Sequence, residues 1–190
     1  NIAALLPHVE AGRPILVPNP TCSYTLTKEL ASLVEGDDAK RVAAGTWDLM
    51  RWIDVELRRK KKLKKDFSRK IEKIGYHAPC HLRAQKIAFP AAQLLQATGA
   101  EVEIVQECSA VDGTWGMKAQ YYETGRKYAQ RLIRGLRDVE PTLYASDCPL
   151  ASLRIAKELG GVCKHPIEIL AYAYGFELVG VPVTAEGAGQ

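Results

Sequence analysis

Cysteine is the residue type with the most chemistry to offer in this chain, and four of the five cysteines recur at one local address. ILVPNPTC ends at Cys22, KIGYHAPC at Cys80, EVEIVQEC at Cys108 and TLYASDC at Cys148, each just beyond a short apolar, strand-like run. In open parallel α/β sheets the loops past the carboxyl ends of the strands gather along one edge, where ligands bind. Thiols far apart in sequence then converge. Four converging thiolates are the donor set of an iron–sulfur cluster or a zinc ion.

The local contexts add detail. Cys80 lies in YHAPCHLRAQ between His77 and His81. Pro79 stiffens the backbone before it, and a helix opening just after it would turn amide N–H groups and the helix dipole towards a thiolate. Each histidine can ligate a metal, donate to a cluster sulfur or close a turn, and the last two roles together are favoured. Cys108 opens CSAVDGTWG, where small residues, with Ser109 and Gly113 among them, let an inorganic group sit against backbone N–H groups. Cys148 precedes proline, and Ala151 stands where a CxxC motif would put its second cysteine. Cys22 sits in NPTCSYTL ahead of a helical segment. Any one of these cysteines alone reads as an ordinary core thiol, whereas four at four strand ends do not. Cys163, inside GVCKHP, is expected to be a small buried apolar residue.

Positioning these thiols requires alternating strands and helices, the pattern of a mostly parallel sheet covered by helices. The expected fold is α/β and Rossmann-like, with the cysteines at the C-terminal strand edge. Strands are predicted near Ile15–Val17 and at KIGYH, EVEIV, TLYAS and GVCKH. Helices are predicted over Tyr24–Val34, from about Asp37 to Leu57 with a break at Gly45–Thr46, over PAAQLLQATG, and over Pro149–Leu159 before Gly160. A long amphipathic helix is predicted from Gly116 to Leu136, burying Tyr121, Tyr128, Leu132 and Leu136, and a last helix opens at Pro166. One domain is expected over residues 1–190, with a basic excursion at about 58–73 and a flexible tail at about 184–190.

A chain of 190 residues, 47% of them hydrophobic, can bury a substantial core. No apolar run approaches the roughly 20 residues that span a bilayer, and residues 1–12 do not read as a signal peptide, so a cytoplasmic setting is expected. An odd cysteine count at long spacings argues for reduced thiols rather than a disulfide framework. The net charge of +4 is concentrated in RRKKKLKK, Arg58 to Lys65. Such a block is first a solvated face, and secondly a dock for an acidic protein or an anionic membrane; nucleic acid is not expected, for no recognition motif accompanies it.

Taken together, PTC, YHxPCH, the Cys-Ser-small segment running into GTWG, DCP and HPIE resemble the second cysteine-rich (CCG) domain of iron–sulfur oxidoreductase subunits. Such subunits occur in anaerobic glycerol-3-phosphate dehydrogenase, glycolate oxidase and heterodisulfide reductase. The resemblance covers about Ile15 to Leu170. It implies a cluster held by Cys22, Cys80, Cys108 and Cys148, electron relay between a flavin-containing dehydrogenase and a quinone or thiol/disulfide acceptor, and a hetero-oligomer, peripheral to the membrane where the partner reduces quinone. Where heterodisulfide reductases carry Cys-Cys-Gly and CxxC, this chain has Cys108-Ser109-Ala110 and Ala151. Four ligands remain, which suits a cubane [4Fe–4S] centre. Two rival readings are a thiol/disulfide reductase module and a structural domain holding zinc or no metal.

Overall fold

The computed structural model describes residues 1–178. Its first part comprises α1 (Ile2–Glu10), β1 (Ile15–Val17), α2 (Pro20–Tyr24), α3 (Leu30–Leu33), α4 (Asp37–Gly45), β2 (Thr46–Asp48) and α5 (Leu49–Ile53). The second comprises β3 (Lys73–His77), α6 (Cys80–Ala84), α7 (Pro90–Gln96), β4 (Glu101–Val105), α8 (Tyr122–Asp138), β5 (Leu143–Ser146), α9 (Pro149–Leu159), β6 (Cys163–Lys164) and α10 (Pro166–Ala173). Among the described residues every strand pairing is parallel, as expected, but the strands form two sheets. Among the described residues β1 pairs only with β2, and a four-stranded sheet has the order β4-β3-β5-β6.

That order is doubly wound: the chain steps outward from β3 to β4, then returns across β3 to β5 and β6. The reversal lies between β3 and β5, the kind of switch point where the loops diverge and leave a crevice. Helices cover both faces, α7 packing with α10 and α8 with α9. β3 is central, and Ile74, Gly75, Tyr76 and His77 are all buried. β4 is an edge strand, which explains the alternation of EVEIV, with Glu101 and Glu103 exposed. The main core gathers Ile74, Tyr76, Leu82, Leu94, Leu95 and Ile169 between β3, α6, α7 and α10. A smaller cluster, Leu30, Ala39 and Val42 with Ile2, Leu5 and Leu6, ties α1 to α3 and α4.

Several elements depart from expectation. The first 14 residues contain α1, a helix that no sequence signal predicts. The Tyr24–Val34 helix starts earlier, at Pro20, because Asn19 caps it by accepting from the Thr21 N–H at 2.9 Å and proline suits the first turn. It passes through a π-helical turn, Thr25–Glu29, where the Thr27 hydroxyl donates to the Ser23 carbonyl, and ends with Leu33 exposed. The break at Gly45–Thr46 is a strand, β2, made by pairing with β1. α8 begins only at Tyr122, after two 3₁₀ turns, and Tyr128 is 74% exposed rather than part of the buried stripe. The buried face instead runs Gly125, Ala129, Leu132, Ile133 and Leu136.

The basic block is helical only to Arg59 and continues as irregular chain to β3. Arg58 and Arg59 both reach the fully buried Asp54, at 2.5 and 2.7 Å. Lys61, Lys62, Lys64 and Lys65 are exposed. Among the described residues no helix is long and apolar enough to cross a membrane. The tail expected at about 184–190 lies outside the described residues.

Candidate metal centre

Three of the four singled-out cysteines follow three neighbouring strands. Cys80 is the first residue of α6 after β3, Cys108 lies in the loop after β4, and Cys148 caps α9 after β5. All three line one cavity of about 450 Å³ at the carboxyl edge of the sheet. His77, His81, Ser109 and Gly113 line it too, so the site residues expected around the thiols are gathered at one place. Cys22 is the exception. Its neighbour Thr21 lines the cavity, while Cys22 itself is exposed on α2, one residue further on.

Local backbone geometry presents N–H groups to Cys108 and Cys148. Ala110 N–H donates to Cys108 Sγ at 3.3 Å. Ala110, Asp112 and Gly113 all have positive φ, of 52°, 41° and 62°, so the 110–113 loop is held in a conformation that non-glycine residues adopt at a cost of about 1 kcal/mol or more. Such turns aim successive N–H groups into a concavity. The loop is pinned from below by glycine: a Cβ on Gly116 would collide with the Ala110 carbonyl oxygen, and one on Gly125 would lie 3.0 Å from it. The same underside is held by Arg154, only 2% exposed, which donates to the Gly116 carbonyl at 2.5 Å. Its guanidinium also stacks over Tyr122 at 4.6 Å.

Burial pushes the Cys148 thiol up, and the N–H groups of Ala151 and Leu150 at the start of α9 offset only part of that rise. The Cys148 N–H donates to Ser146 Oγ at 3.2 Å. That hydroxyl also meets His77 Nδ1, at 2.8 Å, tying the end of β5 to the end of β3. His77 is buried, and burial lowers it to about 4, so it stands in the cavity wall as a neutral imidazole. His81 Nδ1 meets Thr21 Oγ1 at 3.0 Å and its ring packs on Tyr24, which makes it a bridge to α2. At the mouth, Trp115 stacks on Tyr121 with centroids 4.5 Å apart, and the exposed Tyr128 faces the same cavity. Sequence reading placed Tyr128 in the core, where its i, i+4 spacing to Leu132 pointed.

Cys163 is half-buried on β6, and burial pushes its thiol up to about 12. It borders a second cleft of about 280 Å³ with Ser146, Asp147, Ser152 and His165. Asp147 and Asp48 are titratable groups whose burial the sequence did not signal. Both are buried, and burial raises each to about 6. Tyr76 Oη donates to Asp147 Oδ2 at 2.6 Å, and Asp48 caps α5 by accepting from the Arg51 N–H.

Among the described residues no three His, Cys, Asp or Glu side chains close on one point as ligands of a single ion. A tetrahedral zinc site would need sulfurs roughly 3.8 Å apart, from Zn–S bonds of about 2.3 Å. A polynuclear cluster places thiolates at its separate corners, and thiols spaced around a roomy cavity with N–H donors in its walls fit that demand.

The sequence profile of the CCG family, "Cysteine-rich domain", matches residues 74–155. Those residues hold Cys80, Cys108 and Cys148 and the three strands that carry them. The chain is also similar to a subunit of the anaerobic glycerol-3-phosphate dehydrogenase of Escherichia coli, in strain K12 and in O157:H7, at 26% identity over 164 residues in each case. The match covers 85% of this chain and 41% of those relatives, so the chain spans about two fifths of their length. The resemblance expected from PTC, YHxPCH, GTWG and DCP is thereby borne out.

Proposed function

We propose that this chain is an electron-transfer module in which Cys22, Cys80, Cys108 and Cys148 hold one [4Fe–4S] cluster. The carrying observation is the convergence of three cysteines, from the ends of three adjacent parallel strands, on one cavity at the switch point of the sheet. When bound, such a cluster takes up and releases one electron at a time. The protein's own contribution is to fix potential and access. Ala110 N–H and the N-terminal amides of α9 stabilise negative charge on sulfur, and the buried His77 keeps the wall neutral. No side chain is needed as a general acid or base, since the electron carrier supplies the chemistry.

Similarity to a subunit of a dehydrogenase supports redox partner subunits within a hetero-oligomer; in this reading the donor is a flavin-containing dehydrogenase and the acceptor a quinone or thiol/disulfide system. The exposed lysines after Arg59 suit a cytoplasmic protein seated against an acidic partner or an anionic membrane surface. The test is anaerobic reconstitution. The expected result is iron and sulfide at about four each per chain, with broad visible absorption that bleaches on reduction. Protein that takes up zinc alone, or that reduces a disulfide substrate while free of metal, would overturn the proposal.

A further inference from the structure

Cys22 differs from the other three cysteines in belonging to another sheet. It is carried by α2, beyond β1, whereas Cys80, Cys108 and Cys148 follow strands of the four-stranded sheet. Something must hold α2 at the cavity. The contact is with α6, the helix that Cys80 opens, and its polar centre is Gln85. Gln85 is 7% exposed, and its Nε2 donates to Ser23 Oγ at 2.8 Å and to the Pro20 carbonyl at 3.3 Å. These two acceptors lie on either side of Cys22 in sequence. Ser23 is itself fully buried and also reaches Asp48, so the Gln85 amide joins α6, α2 and the start of α5.

We infer that Gln85 is a positioning residue for Cys22, fastening its helix to the Cys80 helix so that the fourth thiol reaches the cluster. The inference rests on the cluster reading above. A buried amide fits this task, because both of its N–H protons are spent on α2 and neither partner is replaceable by water in a site this closed. The neighbouring Thr21–His81 bond, half-exposed at the cavity rim, is the lesser fastening. With Cys22 free to leave, a [4Fe–4S]2+ cubane would keep three thiolates and, on one-electron oxidation by dioxygen, release the fourth iron as Fe2+ to leave [3Fe–4S]+.

The experiment compares reconstituted wild type with Gln85→Ala, Gln85→Glu, Cys22→Ser and the double variant Gln85→Ala/Cys22→Ser. Gln85→Glu keeps the size and removes the donors. Iron per chain is measured before and after brief air exposure, with electron paramagnetic resonance of the oxidised samples. Both Gln85 variants and Cys22→Ser are expected to lose one iron per cluster at least several-fold faster than wild type and to show the same three-iron signal. The double variant is expected to match Cys22→Ser alone. In parallel, amide exchange in the metal-free proteins is expected to rise at residues 21–24 in both Gln85 variants. Wild type that binds no iron would overturn the cluster reading together with this inference. A loaded wild type with Gln85 variants equal to it in iron retention and spectrum, even if their melting temperature falls, would overturn the inference alone, as would additive loss in the double variant.

Discussion

At the scale of single residues, the five cysteines separate by environment rather than by sequence context. Cys163 sits half-buried with its thiol pushed up to about 12, outside the cavity that Cys80, Cys108 and Cys148 share. Cys163→Ser is therefore expected to leave iron content after reconstitution within experimental error of wild type, while Cys80→Ser cuts it by at least half; iron and sulfide assays on the two variants decide. Asp48 gives a prediction of a different kind. Its carboxyl is 3% exposed and burial raises it to about 6, from 3.8 in an open chain. Well below pH 4 it is protonated in both states and costs nothing. As the pH rises through 4 to 6 the unfolded chain releases the proton more readily than the folded one, so stability is lost on going up. Asp48→Asn keeps an amide oxygen to cap α5 and removes the charge. It should stabilise the protein at pH 7 by on the order of 3 kcal/mol, with the gain fading below pH 4. Urea unfolding at both pH values measures it, and an equal effect at both would contradict the account. None of this was visible in the sequence, because Asp48 became buried only when β2 paired with β1 across 28 intervening residues.

At the scale of elements, what sequence could reveal follows from how local each cause is. The strands KIGYH, EVEIV and TLYAS were legible from apolar runs closed by turn residues, and α9 from Pro149 and Gly160, whose φ of 73° ends the helix in the left-handed region. β2 was not legible, being three residues long and defined by a distant partner. The early start of α2 could have been found, since Asn19-Pro20 is a cap followed by a first-turn proline. α8 starts later than its periodicity predicts because Trp115 to Tyr121 carries helical spacing yet forms two 3₁₀ turns, the first of them containing the glycine at 116. That glycine lies against the Ala110 carbonyl with no room for a methyl group. Gly116→Ala should displace the 110–113 loop, lower the urea midpoint by an amount equivalent to about 3 kcal/mol, and reduce iron uptake. Gly113→Ala meets no atom within 4 Å and serves as the comparison, carrying only the strain of its positive φ.

At the scale of the whole molecule, the candidate ligands are divided between the two-stranded sheet and the four-stranded one, with the second supplying three of the four. The α/β class and the gathering of thiols at the C-terminal edge were readable from the spacing of strands and cysteines. The split into two sheets was not, because no shift in composition marks it. A group that binds the folded chain across both parts stabilises it by mass action, by about 2.7 kcal/mol when its free concentration is a hundred times its dissociation constant. Loading should thus raise the melting temperature by several degrees, and chelation should reverse the rise; an unchanged midpoint by calorimetry would mean that the group does not bridge the sheets. The stacked pair at the cavity mouth has a further use. Of three tryptophans, only Trp115 lines the cavity that would receive the cluster. A strongly absorbing inorganic chromophore there would drain its excited state, while Trp47 and Trp52 lie outside the lining. Binding of such a group is therefore expected to be readable as a drop in ultraviolet emission without any added label.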